Sequence, residues 1–121
     1  MEFINPTAEQ FKELMQHSHK GPIVMVNLLK FKPDGGKSSY EKYEKVAGKF
    51  VSEKLSGRLI YRGDCLMPLI GDEQWDEVII VEYPSIEAFI TLQKDKEYQA
   101  AVPYRTEALL DSRLYLTNAA D

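Results

Sequence analysis

The sequence predicts an α+β fold in which a four-stranded antiparallel sheet is built in βαββαβ order behind one extra N-terminal helix. Three observations carry this expectation. The chain has 121 residues, of which 44% are hydrophobic and 28% charged, which suits a single domain over residues 1–121. Apolar periodicity switches between helical and strand spacing in the order α-β-α-β-β-α-α-β. Two strands are apolar on both faces, so the sheet calls for cover beyond two helices.

The first helix is placed near Ala8 because Thr7 and Gln10 have capping-box spacing ahead of Phe11, Leu14 and Met15. Gly21-Pro22 ends it, and the β-branched run PIVMVNLLKFK between Pro22 and Pro33 reads as strand one. Pro33-Asp34-Gly35-Gly36 is turn chemistry. Ser38 with Glu41 has capping-box spacing, and Tyr40, Tyr43, Ala47, Phe50 and Val51 follow at helical spacing. Gly57 stands where a helix C-terminal glycine belongs. RLIYRGDCLMPLIG is expected as strand two, with a bulge at Gly63 and Pro68 marking an edge. WDEVIIVEY is strand three. Ser85 caps a helix with the stripe Ile86, Phe89, Ile90 and Gln93, and a segment from Lys96 to Leu110 should bend or split at Pro103. SRLYLTN closes the sheet as strand four. Without its first helix this is the split-βαβ, ferredoxin-like order, with both crossovers on one sheet face.

Strand one carries Ile23, Met25, Leu29 and Phe31 on one side and Val24, Val26 and Leu28 on the other. Two helices cover one face only, and the N-terminal helix has too few apolar positions to cover the second. A second copy of the same sheet is the expected cover, giving a homodimer through sheet faces with two-fold symmetry.

Composition excludes several functions. The net charge of −4 argues against nucleic acid as a partner, and no apolar stretch approaches the roughly 20 residues of a membrane span. One cysteine, Cys65, excludes a disulfide framework, and the N-terminus lacks secretory-signal character, so a cytoplasmic location is expected. His17 and His19, two apart, cannot share a helix face, so no metal site is expected, and no phosphate loop or dinucleotide fingerprint calls for a cofactor.

Six residues are candidates for a site. Asn27 is the one polar residue between Ile23 and Leu29, and a buried amide must be hydrogen-bonded. It is either a donor into a pocket or a structural bond to neighbouring backbone. Arg105 shares a helical stripe with Tyr98, Ala101, Val102 and Leu109, which aims a guanidinium at the sheet. It either pairs with Asp111, Asp76 or Glu82, or holds a ligand anion in its planar fork. Tyr98, Tyr40 and Tyr43 face inward, either as core phenols or as groups that orient a substrate. Trp75 precedes strand three, where it either closes one end of a pocket or anchors an interface. Arg58 and Arg62 are expected to share one exposed face of strand two.

The segments INPTAEQF, PIVMVNLLKFK, Gly57-Arg58, WDEVIIVEYPS and DKEYQAAVPYRTEALLDSRL resemble the family called domain of unknown function 1330, within the dimeric α+β-barrel superfamily. The resemblance implies a homodimer whose two sheets form a barrel, and a function not assigned. The superfamily includes cofactor-free monooxygenases, isomerases, haem-linked members and stress-induced proteins. The family's motif positions match Asn27, Tyr98 and Arg105, which are expected as catalytic; Tyr40, Tyr43 and Trp75 are expected as substrate-binding by residue type and place in the chain alone, and no metal or cofactor is expected. Asp95-Lys96 departs from an Asp-Pro pair at that helix start, which touches no site residue. The function implied is binding of a small oxygenated compound between helices and sheet, with monooxygenase- or isomerase-like chemistry. The alternative is a non-catalytic ligand-binding or stress-linked dimeric scaffold.

Overall fold

A computed structural model describes residues 3–119. Helix α1 spans Ala8–Met15, β1 Ile23–Phe31, α2 Gly36–Lys54, β2 Arg58–Asp64, β3 Glu77–Tyr83, α3 Ile86–Lys94, α4 Lys96–Ala108 and β4 Leu109–Thr117. The strands form one antiparallel sheet in the order β2-β3-β1-β4. This is the α+β ferredoxin-like arrangement that the element order predicts.

Local chemistry explains most of the boundaries. Thr7 and Gln10 complete a reciprocal capping box at α1. The Ser85 hydroxyl accepts from Ala88 N–H at α3, and the Asp95 carboxylate accepts from Tyr98 N–H at α4. The start of α2 departs from expectation. The helix begins at Gly36 rather than beyond Ser38, entered through Gly35 at φ 80° with no side-chain cap. Ala108 is the reason: a Cβ on Gly36 would stand 2.6 Å from its carbonyl oxygen, so the chain turns at the one place where two backbones touch. At the other end, the residue with positive φ is Ser56, not Gly57. Gly57 is needed for space instead, since a Cβ there would meet Val51 Cγ1 at 2.4 Å.

Expectations for strand two and for the last helix are corrected. Strand β2 ends at Asp64, because Cys65 N–H bonds to the Asp76 carbonyl and closes the pairing ahead of Pro68. Its bulge lies between Leu59 and Tyr61 rather than at Gly63. Pro103 neither splits α4 nor ends it, and Leu109 already belongs to β4.

The core lies between the helices and one sheet face. Ile23, Met25 and Tyr83 pack with Phe50, Val51, Phe89 and Leu92, while Leu29 and Ile79 pack with Tyr40, Ala108 and Leu109. Helix α1 joins this same side, with Leu14 against the first group. Val24, Val26, Leu28, Val78 and Ile80 on the opposite face stay half-buried, and Leu66, Met67, Leu69 and Ile70 beyond β2 are exposed. No helix of the described residues is long and apolar enough to cross a membrane.

Candidate functional site

Between the sheet and α1–α4 lies a cavity of about 920 Å³. Strand alternation decides what it meets. On β1, Met25 and Asn27 point to the helices, as do Ile79 and Val81 on β3 and Ser112, Leu114 and Leu116 on β4. Helix α2 adds Tyr40, Tyr43, Glu44 and Ala47, and α4 adds Tyr98, Val102 and Arg105. Apolar walls with few polar groups are the usual make-up of a small-molecule site.

Five of the six candidate residues therefore line one cavity: Asn27, Tyr40, Tyr43, Tyr98 and Arg105. Trp75 is not among the lining residues. Its ring lies 5.0 Å from the Arg113 guanidinium, which also stands 4.8 Å from the ring of Phe3. It packs against the Arg113 cation, which does line the cavity.

The tyrosines form a connected set. The Tyr43 and Tyr98 hydroxyls are 2.8 Å apart and share one hydrogen bond, and the Tyr40 ring packs 5.3 Å from that of Tyr43. Burial pushes the Tyr40 and Tyr43 hydroxyls well above the ordinary phenol range, so both stay protonated and able to donate at neutral pH. Because one proton satisfies the Tyr43–Tyr98 bond, the other hydroxyl keeps its own proton for another acceptor.

Arg105 is the group whose surroundings decide most. Its Nη1 donates to the Ile4 carbonyl at 2.5 Å. Each carboxylate that could have neutralised it is engaged elsewhere: Asp111 with Arg113 at 2.7 Å, Glu82 with Arg58 at 2.8 Å, and Asp76 with Phe31 N–H at 2.8 Å. Hydrogen bonds from Phe3, Ser112 and Arg113 outweigh the desolvation of Asp111 and hold its carboxyl below the usual range, an anion committed to Arg113. Among the described residues no carboxylate lies within 4.0 Å of Arg105. Asn27 donates one side-chain N–H to the Ile79 carbonyl at 3.3 Å, which leaves its second N–H free of that bond.

Two further charged groups, Glu44 and Glu77, were not singled out from the sequence, and a third, Arg62, was expected to share a face with Arg58. The bulge in β2 shifts its alternation by one residue, so Arg58 and Arg62 face opposite sides. Arg62 thereby points at the helices, where its Nε donates to Glu77 at 2.5 Å and its Nη2 stands 2.8 Å from Glu44. Glu77, 2% exposed, is the buried anion that fixes the arginine. Glu44 itself lines the cavity.

Other features carry no chemistry. Burial, with Asp76, Asp64 and Glu77 adding to it, pushes the Cys65 thiol up and away from thiolate character. No cluster of three or more His, Cys, Asp or Glu that could hold a metal occurs among the described residues. His17 Nδ1 accepts from His19 N–H and remains on the outer surface.

Comparison with known proteins agrees with this architecture. A protein of unknown function from Rhodopseudomonas palustris, RPA0582, is 35% identical over 100% of this chain and 99% of its own, with a TM-score of 0.92. A dimeric protein of unknown function and ferredoxin-like fold from Bacteroides fragilis shares 16% identity over 81% of this chain and 96% of its own, TM-score 0.59. A Caulobacter crescentus protein named as a candidate antibiotic biosynthesis monooxygenase shares 14% over 84% of this chain and 92% of its own, TM-score 0.63. No curated protein matches the sequence. The family model of the domain of unknown function DUF1330 matches residues 35–117, from the turn before α2 to the end of β4, and the chain belongs to that family.

Proposed function

We propose that each subunit of a homodimer binds a small, partly apolar, oxygenated organic compound in the cavity between helices and sheet. One observation carries this reading: a guanidinium with no carboxylate partner lines an apolar-walled cavity beside two hydrogen-bonded phenols. A cation in such a place is stabilised by an anionic or strongly polarised ligand group. Arg105 holds that group, Asn27 donates to a carbonyl, and Tyr98 with Tyr43 donates or relays a proton, while Tyr40 shapes the wall. The reaction class is isomerase-like proton transfer or cofactor-independent monooxygenation.

The dimer reading rests on the sheet face opposite the helices. Val24, Val26, Leu28, Val78 and Ile80 lie there, and α1 sits on the other side. A second copy packed on this face buries them, as the description of the Bacteroides fragilis protein as dimeric encourages. A mass of one chain in solution at micromolar concentration contradicts it.

NMR titration with a panel of quinols and enolisable ketones tests the site. Ligands are expected to move the Asn27 side-chain amide and Arg105 guanidinium signals together. Shifts confined to the outer surface, or binding unchanged in an Asn27→Ala, Arg105→Ala variant, refute it. A second reading, a non-catalytic binder, draws on the Asn27–Ile79 bond, which gives Asn27 a structural task; ligand binding without turnover of any panel member supports it.

A further inference from the structure

One ionisable group of the cavity has no part in that reading. Glu44 lies one helical turn after Tyr40 on α2 and lines the same space. Its Oε1 atom is buried without a hydrogen-bond partner. The nearest cation, Arg62 Nη2, stands 2.8 Å from this oxygen, an ion pair by distance whose angles do not make a hydrogen bond. Arg62 cannot turn further toward it, because its Nε is held by Glu77. One oxygen of the Glu44 carboxylate is thus sealed against a cation without an aligned hydrogen bond, while the side chain as a whole lines the cavity, where its other oxygen is the one left to accept a proton.

The charges around it are few. Arg62 faces it from β2, Glu77 from β3 and Glu41 from its own helix, while α4 contributes Tyr98 and Arg105 to the shared cavity. Burial raises the Glu44 carboxyl, and Glu77 and Glu41 add to this against the pull of Arg62. The charges of Arg105 and Glu44 both act on the Tyr40 hydroxyl, in opposite directions.

We propose that Glu44 is the proton-transfer residue of this cavity, acting on an enolisable keto acid or related carbonyl compound whose anionic group is held by Arg105. The proposal rests on the ligand-binding reading given above. In the step, the C–H bond next to the carbonyl breaks, its proton bonds to the Glu44 carboxylate, and its electron pair passes into the carbonyl to leave an enolate. Asn27 N–H and the free phenol proton of the Tyr43–Tyr98 pair donate to the enolate oxygen. The protonated Glu44 then returns its proton to carbon or oxygen, and no oxidant or reductant is consumed. The apolar walls of Met25, Val81 and Leu92 suit an aryl or alkyl substituent.

Phenylpyruvate is a direct probe, with a carboxylate for Arg105, a ring for the walls and an acidic benzylic C–H. Exchange of its benzylic protons for deuterium is followed by proton NMR, with binding measured separately by calorimetry. The wild-type protein is expected to accelerate exchange over buffer, with a rate rising with pH through a midpoint above the ordinary glutamate value. Glu44→Gln is expected to lower the acceleration by about 100-fold or more at unchanged affinity. Retained acceleration in Glu44→Gln, or binding to wild type without acceleration, overturns the role of Glu44 and leaves the binding site standing. Failure of phenylpyruvate to bind overturns both. If Glu44→Gln does not fold, Glu44→Asp keeps the charge and withdraws it by one methylene; acceleration equal to wild type then overturns the proposal.

Discussion

Replacing Arg62 by Met isolates the cost of the buried charges beside the cavity. Glu77 is 2% exposed, and its carboxylate takes the Arg62 Nε hydrogen bond at 2.5 Å. Removing one partner of a buried ion pair costs about 3–5 kcal/mol, because the other charge is left uncompensated. The Arg62 side chain is 37% exposed, so water reaches one flank of the pair. That screening brings the expected loss to roughly 2–3 kcal/mol. Urea unfolding followed by circular dichroism, at fixed protein concentration, measures it. With a slope of about 1.5 kcal/mol per molar, the midpoint should fall by about 1–2 M. Adding Glu77→Gln to Arg62→Met should recover much of the loss, since a neutral amide is cheaper to bury. A midpoint lowered by less than about 0.5 M at unchanged slope, or no recovery in the double variant, refutes the reasoning.

Other expectations concern the frame of the site. Gly36→Ala places a Cβ 2.6 Å from the Ala108 carbonyl and should cost about 1–3 kcal/mol; an unchanged thermal midpoint contradicts the close contact. Asp95→Ala removes the acceptor of Tyr98 N–H at the start of α4, for a loss of about 1 kcal/mol, with faster amide exchange at Tyr98 as the readout. Glu44→Gln bears on pH. A carboxyl raised in the folded protein binds its proton more tightly there than when unfolded, so wild type loses stability as pH climbs from the ordinary glutamate value through the folded one. Thermal midpoints of the two proteins should coincide near about pH 4 and separate toward neutrality, with Glu44→Gln the more stable. Parallel curves would show that burial does not act on Glu44.

The fold was legible because its signals are local. Capping residues Thr7 and Ser85 mark two helix starts, and the two-faced runs of β1 and β3 mark the central strands. Most of the cavity was legible for the same reason. Tyr40, Tyr43, Tyr98 and Arg105 belong to inward helical stripes, and Asn27 interrupts an apolar strand. Arg62 was not legible, since an irregularity between Leu59 and Tyr61 inverts the strand's phase, and no glycine or proline announces it there. Glu77 follows from Arg62, because an acidic residue at a strand start reads as solvated until a cation on the helix-facing side of the sheet is known to meet it. Glu44 did leave a signal. It falls four residues after Tyr40 and four before Gly48, on the face that lines the cavity. A stripe read from apolar residues alone passes over it. The start of α2 depended on a contact between Gly36 and Ala108, 72 positions apart in the chain, which no window of local sequence contains.

The most direct measurement is a calorimetric titration of phenylpyruvate into the wild-type protein and into Arg105→Gln. Arg105 lines the cavity without a carboxylate partner. A charge-assisted hydrogen bond contributes about 1.5–3 kcal/mol, so the substitution should weaken binding by roughly 10–100-fold. Equal affinity in the two proteins would contradict the assignment of Arg105 as the anion-holding group of the cavity.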